Sequence, residues 1–416
     1  MSPTHGRRPR TTGWPRAGWD TDEVSELLPS PHRDVLQPVL AGIVASIVGF
    51  AGSFAIVLAG LRAVGASADQ AASGLLALSL AMGLTGVALS WRLRMPISVA
   101  WSTPGAALLV SAGAVHGGWP AAVGAFAAGG LLVVLAAVWR TLAGAIAGIP
   151  APLANALLAR VLLSVCLAPA RSLVAHPALT APVIVTWLVL LRVARRWSVP
   201  GALAAAAIGV ALDPLHSAQH THLLPELTLT MPILDFRALI GVGLPLFIVT
   251  MASQNVAGLS VLRSYGYAPN FGRVLGTTGV ASVVVAPFGG HAINLAAVTA
   301  ALAAGPVAHP DPARRWIASA SGGAMYVVLG LGAGLATVLL AASPPVLIEA
   351  VAGLALLGAL GGALAAATAD RAQLDAAMVT FVVTVSGFTV AGVSAPFWGL
   401  VAGLAVRALT RKTAQS

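Results

Sequence analysis

The feature that most limits what this chain can become is a succession of apolar stretches of about the length that crosses a bilayer, roughly 20 residues. Seven of them, 36–61, 71–91, 97–113, 120–139, 149–168, 179–193 and 199–212, fill the first half. Seven more, 238–262, 274–288, 292–304, 317–342, 346–369, 376–390 and 396–409, fill the second. Of the 416 residues 58% are hydrophobic and 9% charged, against roughly 25% charged in a soluble domain. The pattern predicts an all-α polytopic membrane protein of fourteen transmembrane spans, with the lipid bilayer as its solvent.

The charges orient those spans. The formal net charge of +10 comes from arginines and one lysine, Lys412, set against 13 acids. Nucleic-acid binding would need the cations gathered on one face, and here they stand between apolar runs, so nucleic acid is excluded as a partner. Arginine and lysine favour cytoplasmic loops. With the N-terminus inside and fourteen crossings, nineteen cations fall on the cytoplasmic side, among them Arg92, Arg94, Arg140, Arg195, Arg314 and Arg371. Arg62, Arg171 and Arg237 fall outside, and Arg160 sits within a span. Both termini are therefore expected in the cytoplasm, with the chain multi-pass in the plasma (inner) membrane. Residues 1–34 hold arginines, acids and prolines without an apolar core, and read as a disordered cytoplasmic tail rather than a signal peptide. The single cysteine, Cys166, cannot form an internal disulfide.

Seven spans is an odd number, so a second set of seven enters the membrane from the opposite side. Such inverted repeats are a common plan of secondary transporters. Weak self-similarity supports it: the segment from Pro152 aligns with that from Pro345, Val185-Thr-Trp with Val379-Thr-Phe, and Ser198-Val-Pro with Ser394-Ala-Pro, at nearly constant offset. The expected organisation is a first repeat over 35–213, an extracellular loop over 214–234 that carries His216, His220, His222 and Glu226, a second repeat over 235–410, and a cytoplasmic tail over 411–416.

In such transporters the binding site is marked by short spans interrupted by Gly or Pro at matching positions of the two halves. Span 3 reads Pro96-Ile-Ser-Val-Ala-Trp-Ser-Thr-Pro-Gly-Ala-Ala-Leu108, and span 10 contains Phe288-Gly-Gly-His-Ala-Ile-Asn-Leu295. Thr103-Pro104 forms a good N-cap and N1 pair for a helix starting in mid-membrane. Gly289-Gly290 predicts a second half-helix starting near His291 or Ala292. Two such helix N-termini aimed at one midplane spot would offer free N–H groups and positive dipole ends to an anion. Span 8 adds Thr250-Met-Ala-Ser-Gln-Asn255, where Gln254 and Asn255 are expected to contact substrate or hold the site together. Glu349 and Asp375 lie near span ends and are expected at the interface. The sequence offers no metal-ligand set and calls for no cofactor.

These segments, with Gln254-Asn-Val-Ala-Gly-Leu259 and Ala352-Gly-Leu-Ala-Leu-Leu-Gly358, resemble the BenE-type benzoate:proton symporter family over about residues 36–409. More distantly the chain is similar to the uracil/xanthine permeases and sulfate-type anion carriers. The resemblance implies a core domain of spans 1–4 and 8–11, a gate domain of spans 5–7 and 12–14, and a secondary transporter for benzoate or a similar aromatic carboxylate with protons, not an enzyme. It implies walls from Trp101 and Phe288, and a carboxylate held by Ser102, Thr103, Gly105, Gln254, Asn255, Gly290 and Asn294. His291 is the candidate proton carrier, the other route being entry of substrate and proton together as the neutral acid. Gln254 and Ile293 stand where nucleobase permeases carry acids, which argues against a nucleobase. An inorganic-anion carrier, a passive channel and an intramembrane enzyme are the competing readings, and a homodimer is left open.

Overall fold

The computed structural model describes residues 31–139, 150–211, 225–296, 298–332, 345–390 and 393–413. The N-terminal tail to residue 30, Arg140 and the histidines at 216, 220 and 222 lie outside the described residues. Helical residues fall in all fourteen predicted stretches. By length and composition seven helices among the described residues suffice to cross a membrane: Val35–Ala63, Ala68–Leu93, Gly118–Val138, Ala151–Ala175, Phe236–Ser264, Phe271–Phe288 and Ala350–Thr368. Others are shorter apolar helices, such as Thr103–Ala112 and Pro177–Val193. Apolar side chains as exposed as Leu188, Val280, Val284 and Val382 point out from the bundle, where lipid rather than water suits them.

In chain order the helices are α1 (Pro31–Ala51), α2 (Phe54–Ala63), α3 (Ala68–Leu93), α4 (Thr103–Ala112), α5 (Gly118–Val138), α6 (Ala151–Cys166), α7 (Ala168–Ala175), α8 (Pro177–Val193) and α9 (Ser198–Ala211). After them come α10 (Phe236–Ser264), α11 (Phe271–Val285), α12 (Val298–Ala304), α13 (Trp316–Leu331), α14 (Pro345–Thr368), α15 (Leu374–Val385) and α16 (Ala395–Thr413). The fold is not purely helical. Val99–Trp101 (β1) pairs antiparallel with Ile293–Leu295 (β2), and Thr389–Val390 (β3) with Val393–Ser394 (β4).

Local sequence explains the boundaries. Ser67 and Gln70 close a capping box at the start of α3, which satisfies two backbone donors reciprocally. Asp235 caps α10 by accepting from the Ala238 N–H at 2.9 Å, and that bond holds its carboxyl below the usual carboxylate range. Two π-helical turns, Leu239–Gly243 and Met251–Asn255, interrupt α10, and such turns often mark functional sites.

The helices sort into two bundles. In the first, α3 and α1 pack on α13, α5 on α11 and α10, and α12 on α1 and α10; in the second, α14 and α15 pack on α6, α15 on α16, and α8 on α9. Glycine sets the spacing in the first bundle: a Cβ on Gly83 would meet the Gly323 carbonyl at 2.5 Å, and one on Gly323 would meet the Gly83 carbonyl at 2.7 Å. Small residues let membrane helices approach closely where no hydrophobic effect drives them together. Gly323→Val should push α13 off α3 and cost about 1–3 kcal/mol, read as a lower melting temperature of the detergent-purified protein; an unchanged melting temperature would contradict this packing.

Candidate functional site

The chain breaks helix at three neighbouring places. Span 1 breaks between α1 and α2, span 3 runs as β1 before α4, and span 10 runs as β2 before α12. Extended backbone exposes polar groups that lipid cannot satisfy, so each break needs partners. The ladder supplies most of them: Val99 faces Leu295, Ala100 faces Asn294 and Trp101 faces Ile293. It is lengthened at one end by the Ser102 N–H donating to the Ala292 carbonyl at 3.0 Å, and at the other by Ala296 N–H donating to Ser98 at 2.9 Å.

Side chains complete the ladder's outer edge. Asn255 Oδ1 accepts from the Leu295 N–H at 2.9 Å, and Ser282 Oγ accepts from the Ile293 N–H at 2.9 Å. His291 Nε2 donates to the Ser102 carbonyl at 2.9 Å. Its Nδ1 is buried without a partner among the described residues, as is Asn294 Oδ1. Ser102, Asn255, His291 and Asn294 are all fully buried. Trp101 donates its indole N–H to Ser53 Oγ at 3.0 Å, tying the span 3 break to the span 1 break, and its ring lies 5.2 Å from that of Phe50.

The helix start differs from the expected one by one residue. Ser102, not Thr103, is the N-cap of α4: its Oγ accepts from the Gly105 N–H at 3.0 Å and bonds Thr250 Oγ1 at 2.8 Å. Pro104 has no N–H to offer, and the Ala106 N–H already reaches the Ser102 carbonyl. The amide and hydroxyl of half-buried Thr103 are therefore the polar groups of this helix end left open among the described residues.

The second half-helix differs more. His291 and Ala292 are not helical, Ile293–Leu295 is a strand, and α12 begins only at Val298. Gly289, with φ +92°, makes the left-handed turn that precedes the strand. A Cβ on Gly290 would meet Val285 at 2.5 Å, so Gly290 serves close packing rather than a helix end. Because the ladder is antiparallel, the starts of α4 and α12 lie at its opposite ends. They are separated by at least ~7 Å at about 3.4 Å per residue. Phe288 is tied through its carbonyl to Ser73 of α3, while the Trp101 ring meets Phe50 at a tilt of 56°. Gln254 is half-buried with no hydrogen bond among the described residues.

The sequence reading missed Ser53 and Ser282, single hydroxyls in apolar runs. Thr250 opens the polar cluster already noted in span 8, but nothing in one sequence marks these two.

Comparison with known proteins fits this architecture. The family description "Benzoate membrane transport protein", BenE, matches residues 34–409. The chain belongs to the BenE benzoate membrane transport family. As a member of this family it is a multi-pass membrane transporter. A relative at 38% identity, over 88% of this chain and 93% of its own length, is "Inner membrane protein YdcO" of Escherichia coli (strain K12). Another, at 28% over 89% of this chain and 94% of its own, is the "Benzoate membrane transport protein" of Acinetobacter baylyi (strain ATCC 33305 / BD413 / ADP1). Among solved structures, SLC26A9 superposes with a TM-score of 0.62 at 14% identity, over 97% of this chain and 72% of that one. The transmembrane domain of the cyanobacterial bicarbonate transporter BicA superposes at 0.61 with 16% identity, over 90% and 98%. These two share the fold with this BenE-family member.

The ladder's dependence on one side chain is testable. Asn255→Ala should leave the buried Leu295 N–H unpaired and cost about 1–3 kcal/mol, lowering the thermal midpoint in detergent, whereas a midpoint equal to wild type would show that Asn255 does not hold β2.

Proposed function

We propose that this BenE-family protein imports benzoate or a closely related aromatic carboxylate together with a proton, through fourteen crossings arranged as two inverted sets of seven. The observation that carries the reading is the break itself: paired extended segments at the heart of the first bundle, ending on one side in the open amide and hydroxyl of Thr103. A helix N-terminus favours an anion through its dipole and its N–H groups. Trp101, Phe50 and Phe54 form an aromatic cluster beside it, a suitable neighbour for an aryl ring. The name of the Acinetobacter relative supports benzoate over an inorganic anion.

In this reading Thr103 is the principal carboxylate contact, with half-buried Gln254 within the interrupted turn of α10 as a second polar contact. Ser102, Gly105, Asn255, Gly290 and Asn294 hold the break in shape, while Trp101 and Phe288 supply apolar surface. His291 carries the proton. Its Nε2–H is committed to the Ser102 carbonyl, so a second proton adds at Nδ1, which has no partner among the described residues. A positive imidazolium strengthens the bond to Ser102 and attracts the substrate anion. His291 is shut off from water here, so proton entry accompanies a movement that opens the break.

Two variants test this by uptake of external radiolabelled benzoate into proteoliposomes, with protein-free vesicles as the blank. Thr103→Asp places a like charge at the helix end, where screening is weak. Benzoate uptake should fall by about 100-fold or more, roughly 3 kcal/mol, with folding intact; near-normal uptake would remove the helix end from the site. His291→Gln keeps a donor for the Ser102 carbonyl but cannot titrate. Accumulation driven by an inward proton gradient should fail in it while benzoate exchange survives, and full accumulation would exclude His291 as the carrier.

A further inference from the structure

Arg160 is the tenth of sixteen residues in α6, well inside a helix of the second bundle, where an ionised side chain is costly unless it is paired or functional. Its Nε donates to the Thr384 carbonyl at 3.1 Å, an end-of-helix carbonyl of α15 that lacks an intrahelical partner. A guanidinium has five N–H donors. The other four have no partner among the described residues, and no carboxylate pairs with Arg160 there.

Arg160 lines a cavity of about 80 Å³ together with Leu108 and Ser111 of α4, Thr384 of α15 and Pro396 of α16. A single water needs only roughly 10–15 Å³ on this measure, so the space admits a group well beyond one water. The cavity lies where the bundles meet. Its α4 wall belongs to the bundle that carries the break, and its cation belongs to the other. The two walls are joined by a 2.9 Å hydrogen bond between Ser111 and Ser164. Leu108 and Ser111 stand five and eight residues past Thr103, so the cavity is displaced from the open helix end by ~7–12 Å along α4 at 1.5 Å per residue. The residue aligned with Arg160 across the two halves is Gly353, which packs directly on the Val165 carbonyl and Pro169.

The geometry points to a second carboxylate subsite, in which Arg160 receives the substrate anion between the two bundles on its path to the break. The guanidinium fork matches a carboxylate in two parallel hydrogen bonds, and the Thr384 carbonyl holds the fork in place. The inference rests on the transport reading above and adds to it a contact from the opposite bundle.

The test uses the full chain in proteoliposomes. Arg160→Gln retains a donor for the Thr384 carbonyl without the charge, and Arg160→Lys retains the charge without the fork. The KM for benzoate should rise about tenfold or more in the Gln variant, the scale of a lost hydrogen bond to a charged group, and less in the Lys variant. In parallel, wild-type protein is treated with phenylglyoxal, with and without benzoate or acetate, and modification of the Arg160 peptide is followed by mass spectrometry. Protection by both carboxylates together with the KM shift is the expected result, and the absence of either overturns the subsite. A Gln variant that does not fold leaves the decision to protection in the wild type. If wild-type protein transports benzoate while Arg160 is neither protected nor needed, the subsite falls and the transport reading stands. If wild-type protein transports no benzoate, the transport reading falls, and protection by acetate alone then decides whether Arg160 binds carboxylates.

Discussion

Everything at the centre of this protein follows from one constraint: a peptide chain that leaves the helix inside a membrane must find a partner for every backbone N–H and C=O it exposes. Here two extended segments far apart in sequence answer each other. Val99–Trp101 and Ile293–Leu295 exchange backbone hydrogen bonds, and Asn255, Ser282 and His291 take up groups that the short ladder leaves over. The break is thus a joint between the two halves of the chain, and the half-helices on either side inherit their positions from it.

The same constraint assigns roles. Residues that satisfy backbone, such as Ser102 and Asn255, are buried and fully engaged, which suits scaffolding. Groups left open, the amide and hydroxyl of Thr103, the Nδ1 of His291 and most of the Arg160 guanidinium, are the ones with chemistry to spare. They are divided between two helical bundles, so an anion that moves from Arg160 to the break would exchange contacts with one bundle for contacts with the other. A transporter needs such coupling, because a ligand shifts a conformational equilibrium only through different contacts in the two states.

Much of this was legible in the chain. Hydrophobic stretches gave the helices, while Gly289-Gly290 and Thr103-Pro104 marked where helix gives way. The position of the second half-helix was not legible. Helix-breaking glycines show that the backbone is freed but not for how many residues, and only the pairing with β1 determines that Ile293–Leu295 stays extended. The distinction between Ser102 and Thr103 as cap lay within the usual uncertainty of helix ends, and was decided by the bond to Gly105. Ser53 and Ser282 were invisible because a hydroxyl in an apolar run more often bonds its own helix, and nothing local shows which one reaches across. Arg160 stands out in the sequence as a cation within a span, yet its cavity exists only once α4, α6 and α15 are assembled.

The central claim is that the carboxylate sits at the open end of α4 beside the β1–β2 joint. The most direct test is a crystal structure of the protein with 4-bromobenzoate, in which anomalous scattering locates the bromine independently of the map. The account predicts a bromine peak near the Trp101–Phe50 rings, with the carboxylate in hydrogen-bonding range of the Thr103 amide and hydroxyl. A ligand bound at full occupancy with no density at that helix end would contradict it.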